Sequence, residues 1–377
     1  MHVRGALAFW TGLGFVASAA GAAEPYRLDK VAETGTTYTA LGVPAVNDAG
    51  VVAFAATTAA GNGQANGVYY GAPGDVRKLA TPGEVIPDVR PLDINNAGQI
   101  AFIGRDSGWF VYRSVAAGGL NIVGAAGNTA VGITGGPAIS DGGFVAFISN
   151  TPTGEYLETS QGATNFTFAG PASGMLGAHV NNDGQALATD GGRVFLGHPN
   201  SSAAGNIIVG FNTPNYTDPD TGATGVIGLL THEADAGDGG RAVFGGTHAG
   251  TGTLFVWDNG TLSKVPGTSG AVNANNVPAI NDLGQVAALL SSRLSTFDAA
   301  GEHRVVAVGD AFDGSTVSAL AFNAEGWNDA DQLAFTATLA DGRSVNVLAT
   351  VPEPGAAGAA VVLAGAAALR RRRTRRR

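Results

Sequence analysis

Short β-rich apolar runs, each bounded by Asn, Asp and Gly, fill the middle of this chain, and no long stretch there keeps a helical period. One pattern recurs. Pro44-Ala-Val-Asn47-Asp48-Ala-Gly50-Val-Val-Ala53-Phe54 returns as Leu92-Asp-Ile-Asn95-Asn96-Ala-Gly98-Gln-Ile-Ala101-Phe102, and again as Pro137-Ala-Ile-Ser140-Asp141-Gly-Gly143-Phe-Val-Ala146-Phe147. Weaker copies run Asn181 to Leu187, Asp238 to Phe244, Pro278 to Ala287 and Asn328 to Phe335. Taking residues 50, 98, 143, 184, 240, 284 and 331 as reference, the copies lie 48, 45, 41, 56, 44 and 47 residues apart.

The unit has a physical reading. An apolar residue ends one strand, and Asn or Asp opens a turn by bonding forward to its own backbone. Gly then takes a positive-φ position, and the next strand starts with an apolar run whose Phe faces the core. This assigns structural turn roles to Asn47, Gly50, Asn95, Gly98, Asp141, Gly143, Gly184, Gly240, Asn281, Gly284 and Asn328. Each unit continues with two more strand-like runs, such as Leu254 to Trp257 and Leu262 to Val265 around an Asp258-Asn-Gly260 turn. Four strands per ~45 residues is the count of a propeller blade. The last unit supplies only three strands, whereas Tyr26 to Val31 precede the first unit as a surplus strand. The expected fold is therefore all-β: one seven-bladed propeller over 24–350, closed by its N-terminal strand against Val345 to Leu348, with a short apolar helix after it. In this register Leu28 sits close to Asn346.

The two ends carry delivery signals. Arg4, an apolar run from Gly5 to Ala19 and the small residues Ala20-Gly21-Ala22 predict a signal peptide over 1–23, routed through the Sec translocon and cut by signal peptidase. At the other end, Val351-Pro352-Glu353-Pro354-Gly355 precede an apolar run from Ala356 to Leu369 and the arginines Arg370, Arg371, Arg372, Arg373, Arg375, Arg376 and Arg377. Arginines next to an apolar helix stay on the cytoplasmic side of a membrane. The run is short of the ~20 residues of a full span and rich in Ala and Gly, so it reads as a transient anchor. The prolines hold the preceding backbone extended, a shape a processing enzyme can grip.

These residues resemble the PEP-CTERM sorting signal, over 351–377. The resemblance implies recognition by an exosortase, a membrane cysteine transpeptidase-like enzyme. It also implies a bacterium with an outer membrane that makes exopolysaccharide, and a product released from or attached to the cell surface. The repeated Asn-x-x-Gly-x-x-Ala-Phe pattern is similar to tandem-repeat bodies of exosortase-sorted proteins, which implies no activity.

Composition sharpens the picture in two ways. Of 377 residues, 58 are Gly and none is Cys, which fits many tight turns and excludes disulfides and thiolate metal sites. Setting aside Arg4, the tail arginines and Glu353 leaves 13 basic and 29 acidic residues in the body. A body this acidic is a poor partner for nucleic acid.

Candidate chemistry is sparse. His179, His198, His232, His248 and His303 form no ligand spacing, and His232-Glu233 reads as a surface histidine. Neither a nucleophile elbow nor a Walker loop occurs. Asp218 and Asp220 before Gly222 resemble half of a calcium loop, but no Glu follows to complete it, so no cofactor is assigned. Asp93, Asp106 and Asp190 show no distinguishing context. The expected function is a non-enzymatic surface or matrix module contacting exopolysaccharide, and the alternative is a secreted polysaccharide hydrolase or lyase. Carboxylates with an Arg in the central channel would favour the alternative. Small apolar and amide side chains there would favour the module.

Overall fold

The computed structural model of the protein describes residues 26–351 apart from 61–62, 80–85, 88–91, 106–107, 116–118, 126–131, 162–163, 173, 191, 199–206, 210–215, 219–221, 223, 274 and 299–300. The expected signal peptide, the sorting tail from Pro352 onward with its apolar helix, Asp106 and Asp220 lie outside the described residues. No helix among the described residues is long and apolar enough to cross a membrane.

Seven antiparallel sheets follow one another along the chain as the blades of a propeller. Blade 1 spans Tyr38–Leu41 to Asp75–Lys78, blade 2 Ile86–Pro87 to Leu120–Ala125, and blade 3 Gly132–Ile139 to Thr164–Ala172. Blade 4 spans Leu176–Val180 to Ile207–Val209, blade 5 Gly228–Asp235 to Thr261–Lys264, and blade 6 Val277–Ile280 to Gly301–Ala307. A two-stranded hairpin, Tyr216–Thr217 with Thr224–Gly225, fills the longest gap between repeats, before blade 5. Blade 7 takes Ser315–Ala321, Gln332–Leu339 and Ser344–Thr350 from the end of the chain and Arg27–Glu33 from its start.

The repeated motif sits between the first and second strands of each blade. In blade 2 the Gly98 N–H bonds Asn95 O at 2.9 Å and the Gln99 N–H bonds Asn95 Oδ1 at 2.8 Å, closing a tight turn. The reference glycines take positive φ, from 72° at Gly50 to 80° at Gly284, and Asp331 holds the same place in blade 7 at 55°. Four residues further on, Phe54, Phe102, Phe147, Phe244 and Phe335 are at most 1% exposed.

The apolar interior is divided. Buried side chains form seven groups, one between each pair of neighbouring blades. The group between blades 7 and 1 joins Val31, Ala334 and Leu348 to Val46, Val52 and Phe54, so the closing strand helps seal a core as well as an edge.

The closing strand is longer than the sequence suggests and its register differs. Leu28 pairs with Ala349, and Asn346 faces Ala32, with a shift in pairing between Lys30 and Ala32. Asn346 is instead buried, accepting from Thr336 Oγ1 and donating to Gly42 O, which fixes it away from Leu28.

Cysteines at Arg27 and Thr350, which are paired across this seam, should crosslink within the monomer under a short thiol-directed reagent, and deletion of 24–33 should lower the melting temperature of the whole body. An uncrosslinked monomer and an unchanged melt would contradict the closed ring. Gly98→Val isolates backbone strain, since a Cβ there meets nothing within 4 Å while φ is +73°. It should cost about 1–3 kcal/mol in denaturant titration.

Candidate functional site

Each inner strand delivers its turn to one end of the central channel, and there the turns bond to one another. The residue after the turn-opening position donates its main-chain N–H to the side-chain oxygen of its counterpart in the next blade. Asp48 donates to Asn96 (2.8 Å), Asn96 to Asp141 (2.8 Å), Asp141 to Asn182 (2.7 Å) and Asn182 to Asp238 (2.6 Å). Asp238 donates to Asp282 (2.9 Å), Asp282 to Asp329 (2.8 Å) and Asp329 back to Asp48 (2.9 Å). Beneath this circuit the turn asparagines add a second set. Asn47 Nδ2 donates to Asn95 O, Asn95 to Ser140 O, Asn181 to Gly237 O, Asn281 to Asn328 O and Asn328 to Asn47 O.

Five of the seven ring side chains are carboxylates. Asn96 separates Asp48 from Asp141 and donates to both, whereas Asp238, Asp282, Asp329 and Asp48 follow without an intervening amide. Asp282 carries the cost. Burial, followed by the charges of Asp238 and Asp329, pushes its carboxyl up to about 7, against the N–H bond from Asp238 that favours the charged form. Asp329 is raised as well, chiefly by burial.

A cavity of about 120 Å³ runs from this ring down to Asp93 and Glu325. Two residues before the turn-opening position, blades 1, 3 and 6 carry Ala45, Ala138 and Ala279. Blades 2, 4 and 5 carry Asp93, His179 and Asp235 at that place, and blade 7 has Gly326 preceded by Glu325. Asp93 and Asp235 are built alike. Asp93 accepts from its own neighbour Ile94 N (2.6 Å) and from Ile139 N in the next blade (2.6 Å). Asp235 accepts from Ala236 N (2.7 Å) and from Ile280 N in the next blade (2.8 Å). His179 Nδ1 lies 2.8 Å from Glu325 Oε1 and 3.3 Å from Asp235 Oδ1. Asp93, His179 and Asp235 are 6–7% exposed. Burial raises the Asp235 carboxyl to about 6 despite His179, and raises Asp93 too, with Glu325 adding to both. In blade 7 a 3-10 turn, Ala324–Gly326, interrupts the inner strand and turns Glu325 toward the others. Only glycine fits after it, because a Cβ on Gly326 would stand 2.4 Å from Ala334 O.

Sequence reasoning passed over Asp93 and His179 as residues without context, and it did not single out Asp235 or Glu325. The signal lay in the repeat itself, where a position that is Ala in three copies becomes Asp, His and Asp in three others. The remaining candidates lie apart from this cluster. Asp218 is buried and paired with Lys264 Nζ at 3.0 Å, so an ammonium already balances the carboxylate considered for calcium. Asp190 pairs with Arg193, His303 with Asp298, His248 packs edge-on against Tyr216, and His198 is exposed. The channel therefore combines both expected linings. It has amides and small apolar residues together with carboxylates, and no Arg among its described lining residues.

A model of a family of unknown function (DUF7453) matches residues 26–118, which hold the closing strand and the first two blades. No curated protein matches the chain. Among solved structures, the chain is similar to the extracellular domain of a hybrid two-component system from B. thetaiotaomicron, at 13% identity and a TM-score of 0.47, covering 85% of this chain and 39% of that one. It is also similar to prolyl oligopeptidase B from Galerina marginata, at 10% identity and a TM-score of 0.44, covering 82% and 46%. TolB from Acinetobacter baumannii matches at 10% identity and a TM-score of 0.36, covering 81% and 63%. The chain thus spans about two fifths of the first of these proteins and less than two thirds of each.

The acidic ring gives the fold a pH dependence. Folded Asp282 holds its proton up to about 7, while an unfolded aspartate releases it near 4. The folded state binds the extra proton between those values, so the Asp282 contribution is complete below about pH 4 and is lost as pH rises through about 7. Asp282→Asn should therefore flatten the stability profile between pH 5 and pH 8, measured by denaturant midpoints. A slope equal to the parent's would show that the ring carries no such strain.

Proposed function

We propose that this is an exported surface or matrix protein, sorted through its C-terminal tail by an exosortase, whose propeller serves as a non-enzymatic binding module alongside exopolysaccharide. The sorting part rests on the order of three features: Val351-Pro352-Glu353-Pro354, then an apolar run, then seven arginines. In this reading the tail holds the chain in the inner membrane until processing releases the body to the surface.

The binding part rests on one observation, the size of the channel. Sites for small organic ligands usually enclose about 300–1,000 Å³. The space between the ring and Glu325 is about 120 Å³, room for water and ions but not for a sugar chain. Polysaccharide contact would then fall on the outer surfaces of the blades. One observation favours hydrolysis as the second reading, namely the convergence of Asp235 and Glu325 on His179, with Asp93 buried in the same channel.

Replacing Pro352, Glu353 and Pro354 with alanine should leave an unprocessed precursor in the membrane fraction, seen as a larger band by immunoblot. Release and trimming as in the parent would end the sorting reading. Release of reducing ends from exopolysaccharide by the purified protein, abolished by Glu325→Gln, would replace the binding module with the hydrolase.

A further inference from the structure

The positions that break the repeat all point to one place. In six blades strand pairing continues almost to the turn, and in the seventh the 3-10 turn intervenes and brings Glu325 to His179. Three donor atoms result: His179 Nδ1, Asp235 Oδ1 and Glu325 Oε1, all within 4.8 Å of one another.

We propose that these three atoms bind one divalent first-row transition ion, of the zinc or manganese type, at the axis of the propeller. Two of the three spacings, those from His179, suit it. An ion with bonds of ~2.1 Å sets neighbouring donors about 3.0 Å apart in octahedral and about 3.4 Å apart in tetrahedral geometry. His179 Nδ1 lies 2.8 Å from one carboxylate oxygen and 3.3 Å from the other. Hydrogen bonding alone explains this less well. Nδ1 carries at most one proton and faces two acceptors, so the two contacts would have to share it.

Charge leads to the same conclusion. Asp93, Asp235 and Glu325 bring three carboxylates to a single imidazole, and neither Lys nor Arg is among the described residues lining the cavity. Such a group is short of positive charge. A divalent ion settles it with the carboxylates ionised. Asp235 is also held as a ligand should be, with each oxygen fixed by a main-chain N–H and lone pairs left over.

Access and ion class follow from the surroundings. The acidic ring lies at the other end of the same cavity and concentrates cations there. Of the three ligands Glu325 lines this cavity of about 120 Å³, which has room for waters on that side of the ion. One nitrogen and two oxygens favour a transition ion over calcium, which takes 6–8 oxygens.

The test uses the full chain in mild detergent, stripped with a chelator and titrated calorimetrically with Zn²⁺ or Mn²⁺, with Ca²⁺ for contrast. One equivalent of Zn²⁺ or Mn²⁺ should bind, and bind more tightly than Ca²⁺. His179→Ala and Asp235→Asn should each weaken binding at least tenfold. Glu325→Gln, at a less buried side chain, should do the same, and it decides the matter if the other two variants fail to fold. No saturable binding, or binding undiminished in the folded variants because the ion sits at the ring instead, overturns the proposal. Sorting does not enter this measurement, so it stands or falls separately from the exosortase reading.

Discussion

Seven main-chain N–H groups, each bonded to a side-chain oxygen of the next blade, tie the inner ends of the blades into one circuit. Each blade must therefore offer a short oxygen-bearing side chain at one fixed place, and Asp or Asn meets that need in every blade. The same choice crowds negative charge around a narrow mouth. Two amides relieve it on one side, and on the other the cost appears as a carboxyl that gives up its proton only near neutrality. Geometry and electrostatics compete at this ring, and the hydrogen-bonded geometry prevails.

The turns also explain why so much of the architecture could be read from the residues. A Gly at positive φ, an Asn that bonds forward and a Phe four residues later are local devices, so they repeat visibly along the chain. Closure was legible too, as a strand missing at one end and surplus at the other. The register of that seam was not, because an irregularity between Lys30 and Ala32 breaks the pairing and no turn fixes it. The channel cluster escaped for the opposite reason. His179 and Glu325 are 146 residues apart in sequence, and no spacing rule joins them. Comparison of equivalent positions, Ala against Asp and His, could have raised His179, but Glu325 stands one residue off that position and is placed by the 3-10 turn.

The abundance of Ala and Gly has its counterpart in how the interior is divided. Seven thin layers between blades need small side chains to bring sheets together, with one to three buried aromatics in each layer. Phe54 shows the pattern, stacked 5.8 Å from Tyr69 and edge-on to Tyr38 at 5.9 Å. Where the second strand offers Ala188 or Ala288 in place of Phe, aromatic bulk comes from the third strand, as Phe195 or Phe297. Loss of any one layer would then loosen two blades directly, and the remainder only through the ring.

Pairing Arg27 with Thr350 joins residues 323 positions apart, so the first strand to be made waits for the last. Every other blade closes on neighbours made moments earlier. Contacts of such long range form slowly, because a large loop entropy must be overcome before they contribute anything. A chain that folds as it is made would pass through a stage with six blades complete and two sheet edges bare. That interval, more than the finished ring, is when the protein is open to association with its own copies, and its length is set by the time needed to deliver the last strand.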